Sequence, residues 1–220
     1  MRAADLTLAE IGALTARIQA REQGQANRTK VIDASRREVA PALERIAVGV
    51  VPGMAGHMMG VVVAGRSADG HIYVLGDYSM AGDVVDCAER ALAAYRDHMA
   101  DVIAGMVNEA GDYLEKLLRL VNSAVQYKAI HAIRGLAVRA EPVFALYERG
   151  RVHHVGTFAS LESRMSAWTV DTRGTEAQVS ALVCAITELE SRLLQDHGPS
   201  RLAATGPARS APASGTWHLT

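Results

Sequence analysis

Apolar residues along the chain follow two rhythms. In the first third they form short runs rich in valine. Residues 45–51, 59–65 and 71–79 each predict a strand, the last with alternating character, and Asp69-Gly70 predicts a tight hairpin turn between the second and third. Further on, apolar residues recur every three or four positions, which predicts helices. Residues 83–99 place Val84, Cys87, Ala88, Ala91, Leu92 and Tyr95 on one face. Residues 111–121 turn Tyr113, Leu114, Leu117, Leu118 and Val121 inward. Helices are also predicted at 138–148, stopped at Gly150, at 160–168 and at 176–195. Short apolar strands separate them at 101–106, 125–131 and 151–155. The stretch 46–65 lacks Asp, Glu, Lys and Arg over a length that would cross a bilayer, yet it holds Pro52, His57 and five glycines. It reads as two buried strands and a loop, and no membrane span is expected.

The ends differ in character from the middle. Residues 1–27 read as an N-terminal helix and linker. Thr7-Leu8-Ala9-Glu10 fits a capping box, Leu8, Ile11, Leu14 and Ile18 follow at helical spacing, and Gly24 is expected to end the run. That narrow stripe needs a partner surface, either the chain's own domain or, in self-association, another copy. Residues 197–220 contain three of the six prolines, no acid and many Ala, Ser and Gly, the composition of a disordered tail. Trp217 within it reads as a stray terminal aromatic. Residues 28–196 form one α/β domain. Three antiparallel strands, then alternating helices and strands, then a closing helix is the order of the ribonuclease-H-like (RNase H-like) plan, in which strands reached through helical crossovers lie parallel to a neighbour.

Composition narrows the chemistry. The 220 residues are 49% hydrophobic and 21% charged, which suits one folded domain. Lys plus Arg is 23 and Asp plus Glu is 24, a formal net charge of -1, so nucleic acid would have to be held by a local patch. Aromatics at 5% argue against a base-stacking platform. Cys87 and Cys184 lack metal-type spacing and read as small buried apolar residues. His57, His71, His131, His153 and His154 read as scattered, since adjacent strand residues such as His153 and His154 point to opposite faces. No apolar run follows a basic start, so a cytoplasmic location is the default expectation.

Several segments carry a family likeness. Arg139-Ala-Glu-Pro-Val143, Ala145-Leu-Tyr-Glu148, Gly150-Arg-Val152 and His154-Val-Gly156 form the central block. Arg45-Ile46, Tyr73-Val-Leu75 with Asp77, Asn108 with Gly111-Asp112, Leu161-Glu162, Met165, Trp168, Ala181-Leu-Val183 and Thr187-Glu-Leu189 add to it. Over residues 30–193 the chain resembles the C-terminal nuclease domain of phage terminase large subunits, above all those of prophages and gene transfer agents. The resemblance implies an RNase H-like fold and two-metal phosphodiester hydrolysis with magnesium or manganese held by carboxylates. The family's ATPase motor is a separate matter: no G-x-x-x-x-G-K-[ST] segment occurs in these residues.

The resemblance breaks where that chemistry would sit. The family's first strand ends in Val-Asp-Pro, and this chain has Val50-Val51-Pro52. The fourth strand's Ala-Glu-Val-Asn is Gly105-Met106-Val107-Asn108. The last helix's Arg-Val-Asp-Ala-Leu-Val is Gln178-Val179-Ser180-Ala181-Leu182-Val183. The three metal-binding acids thus correspond to Val51, Met106 and Ser180, which cannot hold two divalent ions, and no cofactor is expected. The basic loop keeps its arginine in Ile133-Arg134-Gly135-Leu136 but loses its lysine.

Asp77, Glu109 and Asp112 are the acids that can stand in, although Asp77 is expected to bond local backbone and the other two to cap the following helix. Arg134, Arg139 and Lys128 lie where DNA would pass, and Arg139 with Glu141 is equally a structural pair. The resemblance implies a pseudo-nuclease that binds DNA, or a terminase, portal or capsid component, in packaging. An active endonuclease using relocated acids, which would need magnesium or manganese, is the alternative, and a prophage remnant without a role is the third reading.

Overall fold

The computed structural model describes residues 8–52, 57–107, 112–131, 135–168 and 177–191. At its centre, β2 (Leu43–Val51) pairs antiparallel with β3 (His57–Ser67), in register from Ile46 opposite Gly65 to Val51 opposite Gly60. The uncharged stretch is therefore this hairpin. β4 (Ile72–Asp77) continues the meander beside β3. The turn between them uses Gly70 at φ +80, where a side chain would be strained, and Gly70 N–H donates to the Ser67 carbonyl at 2.9 Å. β6 (Val102–Met106) and β7 (Tyr127–Ile130) extend the other side in parallel. With β1 (Arg36–Arg37) and β8 (Val152–Val155), the order is β1-β8-β4-β3-β2-β6-β7, and β5 (Met80–Gly82) pairs with β3 off this path.

Helices cover both faces, so β2 and β3 are buried on both sides and read as continuous valine runs. α2 (Val84–Asp97) and α3 (Tyr113–Val121) pack one face around Val48, Val61, Val63 and Ile103. Asp83 caps α2 by accepting from the Val85 and Asp86 amides, and Asp86 returns the bond to the Asp83 amide. α6 (Ala177–Ser191), α4 (Leu136–Glu148) and α5 (Ala159–Ala167) take the opposite face with Val62, Ala64, Val74 and Val152. α6 lies directly on β2 and β3. The contact is close because Gly49 and Gly60 present no side chain to it: a Cβ at Gly49 would stand 1.9 Å from the Ala181 carbonyl oxygen.

Two local expectations are corrected. Gly24 does not end the first helix; α1 runs unbroken from Leu8 to Ala34. One helical glycine costs only about 1 kcal/mol, and the turns beyond it are anchored, with Ile32 buried and Arg28 Nε donating to the Ser166 carbonyl at 3.0 Å. In α3, Leu114 and Leu118 are fully buried, but Tyr113 and Val121 face solvent. Tyr113 falls off the buried stripe, while Val121 falls on it but is the last residue of α3 and stands clear of the body. Thr7, the loop 53–56 and the segment 197–220 with Trp217 lie outside the described residues.

Candidate functional site

The carboxyl ends of β2 and β6 lie side by side. Val50 is opposite Gly105 in parallel register, so the next residues, Val51 and Met106, are neighbours, and both join the cluster on the α6 face. Gly60 pairs with Val51 and packs against Ala177 and Ala181, which places Ser180 on the turn of α6 above this corner. The structure thus brings Val51, Met106 and Ser180 to one corner of the sheet. Val51 is 2% exposed, Met106 5% and Ser180 0%. Among the described residues the buried Ser180 hydroxyl has no hydrogen-bond partner, a disposition that ordinarily costs stability.

A cation also reaches this corner. Arg139 Nη2 stands 3.6 Å from Met106 Sδ. The same guanidinium reaches Cys184, one turn along α6 from Ser180; burial pushes that thiol up to about 11 against the pull of Arg139. Among the described residues no ion pair joins Arg139 to Glu141.

One carboxylate stands nearby. A register shift between Val63 and Ala64 bulges β4, so that Asp77 pairs with Val62 and faces α6. Such a bulge re-aims the side chains beyond it. Asp77 Oδ1 accepts from the Ser79 amide at 3.1 Å, the local backbone bond expected of it. Asp77 Oδ2 accepts from Gln178 Nε2 at 2.8 Å. Gln178, 1% exposed, also meets the Ser160 hydroxyl at 3.2 Å. Asp112 occupies the N-cap position of α3, exposed and without a capping side-chain bond. Glu109 and Arg134 lie outside the described residues.

Lys128 is drawn inward. Its Nζ meets Glu188 Oε2 at 2.5 Å, and Arg45 Nη2 meets Glu188 Oε1 at 3.1 Å. Glu188 was not singled out by sequence reasoning, although it is a lone acid on the stripe Ser180, Cys184, Glu188 of an otherwise apolar helix, which is the signal that a cation awaits it. A second buried network was also missed. Tyr147 Oη lies 2.7 Å from His154 Nε2, His154 Nδ1 lies 2.9 Å from Glu162 Oε1, and Arg36 clasps both Glu162 oxygens at 2.8 Å each. On the opposite face His153 Nε2 lies 2.8 Å from His71 Nδ1, so the adjacent histidines do diverge.

Hard divalent cations want several oxygen ligands. Val51 has no donor atom, Met106 offers a thioether beside a guanidinium, Ser180 offers one neutral oxygen, and Asp77 has both oxygens engaged. Among the described residues no three His, Cys, Asp or Glu side chains gather as a metal site. This donor set does not fit a pair of magnesium or manganese ions.

No protein-family model matches the chain. No curated protein matches it either. Solved structures do. The large terminase nuclease of thermophilic phage G20c aligns at 15% identity and TM-score 0.52, over 68% of this chain and 87% of that one. The human cytomegalovirus terminase nuclease domain, soaked with manganese, aligns at 14% and 0.55, over 78% and 96%. The large terminase of bacteriophage HK97 aligns at 11% and 0.56, over 73% of this chain and 42% of that one. At these identities the likeness shows the fold: a mixed α/β, RNase H-like domain of the kind found in terminase nucleases. Among the described residues no helix is long and apolar enough to cross a membrane.

Proposed function

We propose that this chain is a terminase-type nuclease-like domain that binds DNA without cutting it, within DNA packaging by a phage or gene transfer agent. The observation that carries this reading is the corner itself. Where the resemblance puts three metal-binding acids, Val51 and Met106 fill the space with apolar bulk and Ser180 adds a single hydroxyl. Arg139 brings a guanidinium to the same corner, a group whose geometry suits a phosphate. The resemblance adds Arg134 as a further DNA-binding cation, and the partly exposed Lys128, shared with Glu188, is another candidate.

The test incubates the chain with supercoiled and linear DNA in magnesium and in manganese, and titrates fluorescent duplex across salt. Intact DNA and binding that weakens steeply with salt are expected. Metal-dependent cutting abolished by Asp77→Asn or Glu109→Gln would establish the relocated-acid endonuclease instead. Intact DNA with no binding would move the role to a terminase, portal or capsid protein.

A further inference from the structure

Much of the first half of α1 stands clear of the body of the domain. Residues 12–23 are exposed on every side, and Leu14 and Ile18 are 47% and 49% exposed. Of the two partner surfaces left open for this stripe, the chain's own domain does not cover Leu14 or Ile18. An unsupported helix of this length is marginal in water, and apolar side chains at i and i+4 make a face that gains by burial. Arg17 and Arg21 stand on that same face, at the spacing Leu14, Arg17, Ile18, Arg21, and neither forms an ion pair among the described residues.

A groove of complementary character begins where this arm leaves the body. It encloses about 710 Å³ between the second half of α1 and α4. Its walls include Val31, Val138, Phe144 and Trp168, and Val138 is 50% exposed. Phe144 stacks on Trp168 with ring centroids 5.2 Å apart, which makes the floor rigid. Glu141 and Glu148 line the same groove from α4, exposed and without ion pairs among the described residues. The chain thus carries an apolar helix edged with arginines and an apolar groove edged with glutamates.

The arm cannot fill the groove of its own chain. α1 is one continuous helix, and from Gly24 to Ile32 it is itself a wall of the groove. The free arm runs straight on for about 18 Å beyond that wall, at 1.5 Å per residue. We propose that this groove receives the N-terminal arm of a second copy of the chain, so that two copies exchange arms about a two-fold axis. Leu14 and Ile18 then bury in the groove in the helix-in-groove manner, and Arg17 and Arg21 face Glu141 and Glu148. Reciprocal exchange closes on itself and stops at a dimer. This proposal stands apart from the nuclease question, because the groove lies on α1 and α4 and leaves Val51, Met106 and Ser180 untouched.

Sedimentation velocity of the full chain across the micromolar range tests it. A concentration-dependent dimer is expected. Leu14→Glu with Ile18→Glu should raise its dissociation constant by at least roughly a hundredfold, and Val138→Glu should weaken it as well. All three positions are about half exposed, so circular dichroism and Tm should match the parent at concentrations where the parent is itself monomeric. Reversing Arg17 and Arg21 to Glu should weaken the dimer, and adding Glu141→Arg and Glu148→Arg should restore it. A monomer at every concentration overturns the proposal. A dimer lost in the arm variant but kept in Val138→Glu also overturns it, because arms would then pair with each other. Loss without charge-swap rescue overturns the assigned register.

Discussion

Gln178 and Asp77, 101 residues apart in sequence, are joined by a 2.8 Å hydrogen bond that ties the start of α6 to the bulged end of β4. Gln178 is buried, so removing the acceptor leaves its amide nitrogen with only the 3.2 Å contact to the Ser160 hydroxyl. Asp77→Ala should cost about 1–3 kcal/mol of stability, and Asp77→Asn less, because its side-chain oxygen can still accept. Gln178→Glu should be the most damaging, since it sets two carboxylates face to face. Urea unfolding of the three variants checks the order.

The seat of α6 rests on two missing side chains. A Cβ at Gly49 would come 1.9 Å from the Ala181 oxygen, and one at Gly60 would come 2.0 Å from the Ala177 oxygen. Those contacts are backbone, which cannot rotate aside. Gly49→Ala and Gly60→Ala should each lose about 1–3 kcal/mol or more, the usual cost of overpacking. Gly12 is the control: it lies on the exposed part of α1 with nothing within 4 Å of its Cβ position. Gly12→Ala should be neutral or slightly stabilising, and thermal unfolding of the three variants checks the contrast.

How much of this was legible in sequence follows from what periodicity reports. It reports burial, so the valine hairpin, the Asp69-Gly70 turn and the apolar face of α6 all stood out. It does not say which strand a later strand joins, and β8 pairs with β4 across the sheet from β7. Nor does it pair distant charges. Arg45 and Glu188 are 143 residues apart, and nothing local to either announces the other. The bulge that turns Asp77 toward α6 is equally silent, because one residue of slip reverses a strand's faces. The corner of Val51, Met106 and Ser180 was reached through family likeness and could not have come from spacing.

Glu188 holds two cations in a space where it is itself 1% exposed on its side chain. A buried pair broken on one side leaves uncompensated charge, typically at about 3–5 kcal/mol. Glu188→Ala should approach that range because Arg45 is only 18% exposed, and Glu188→Gln should retain part of the stability through hydrogen bonds. Lys128→Met should cost far less, since Lys128 is 48% exposed and Arg45 still balances Glu188. Guanidinium unfolding of the three variants separates the roles of the two cations.

Acid should weaken the fold in two windows. Burial, then the charges of Arg37 and His71, lower the His153 pKa below its ordinary 6.5. The unfolded chain therefore binds that proton first, and the stability His153 contributes is full above 6.5 and falls as pH drops below it. Burial alone would raise the Glu162 carboxyl, but hydrogen bonds from His154, Arg36 and the Phe158 amide outweigh it and hold the group down at about 2, from 4.5. Its contribution is complete above 4.5 and is lost progressively as pH falls toward 2. Glu162→Gln should flatten the lower window and leave the upper one, and His153→Phe should do the reverse. Tm measured against pH resolves the two.

Val51 and Met106 stand side by side yet should answer a new carboxylate in opposite ways. Met106 Sδ is 3.6 Å from the Arg139 guanidinium, so Met106→Glu sets its carboxylate within reach of that cation in a place of nearly the same volume. Val51 is 2% exposed on the apolar α6 face, and among the described residues no cation stands against it. Val51→Asp must either bury an unpaired charge or stay protonated, at a cost of several kcal/mol. Met106→Glu should therefore fold with a loss under about 1.5 kcal/mol, while Val51→Asp should be severely destabilised. Joining both to Ser180→Asp collects three acids at one corner, whose mutual repulsion manganese can relieve. A Tm that rises with added manganese in the triple variant, and stays flat in the parent, is the expected result. Equal damage from Val51→Asp and Met106→Glu would mean that Arg139 does not serve this corner as a counter-ion.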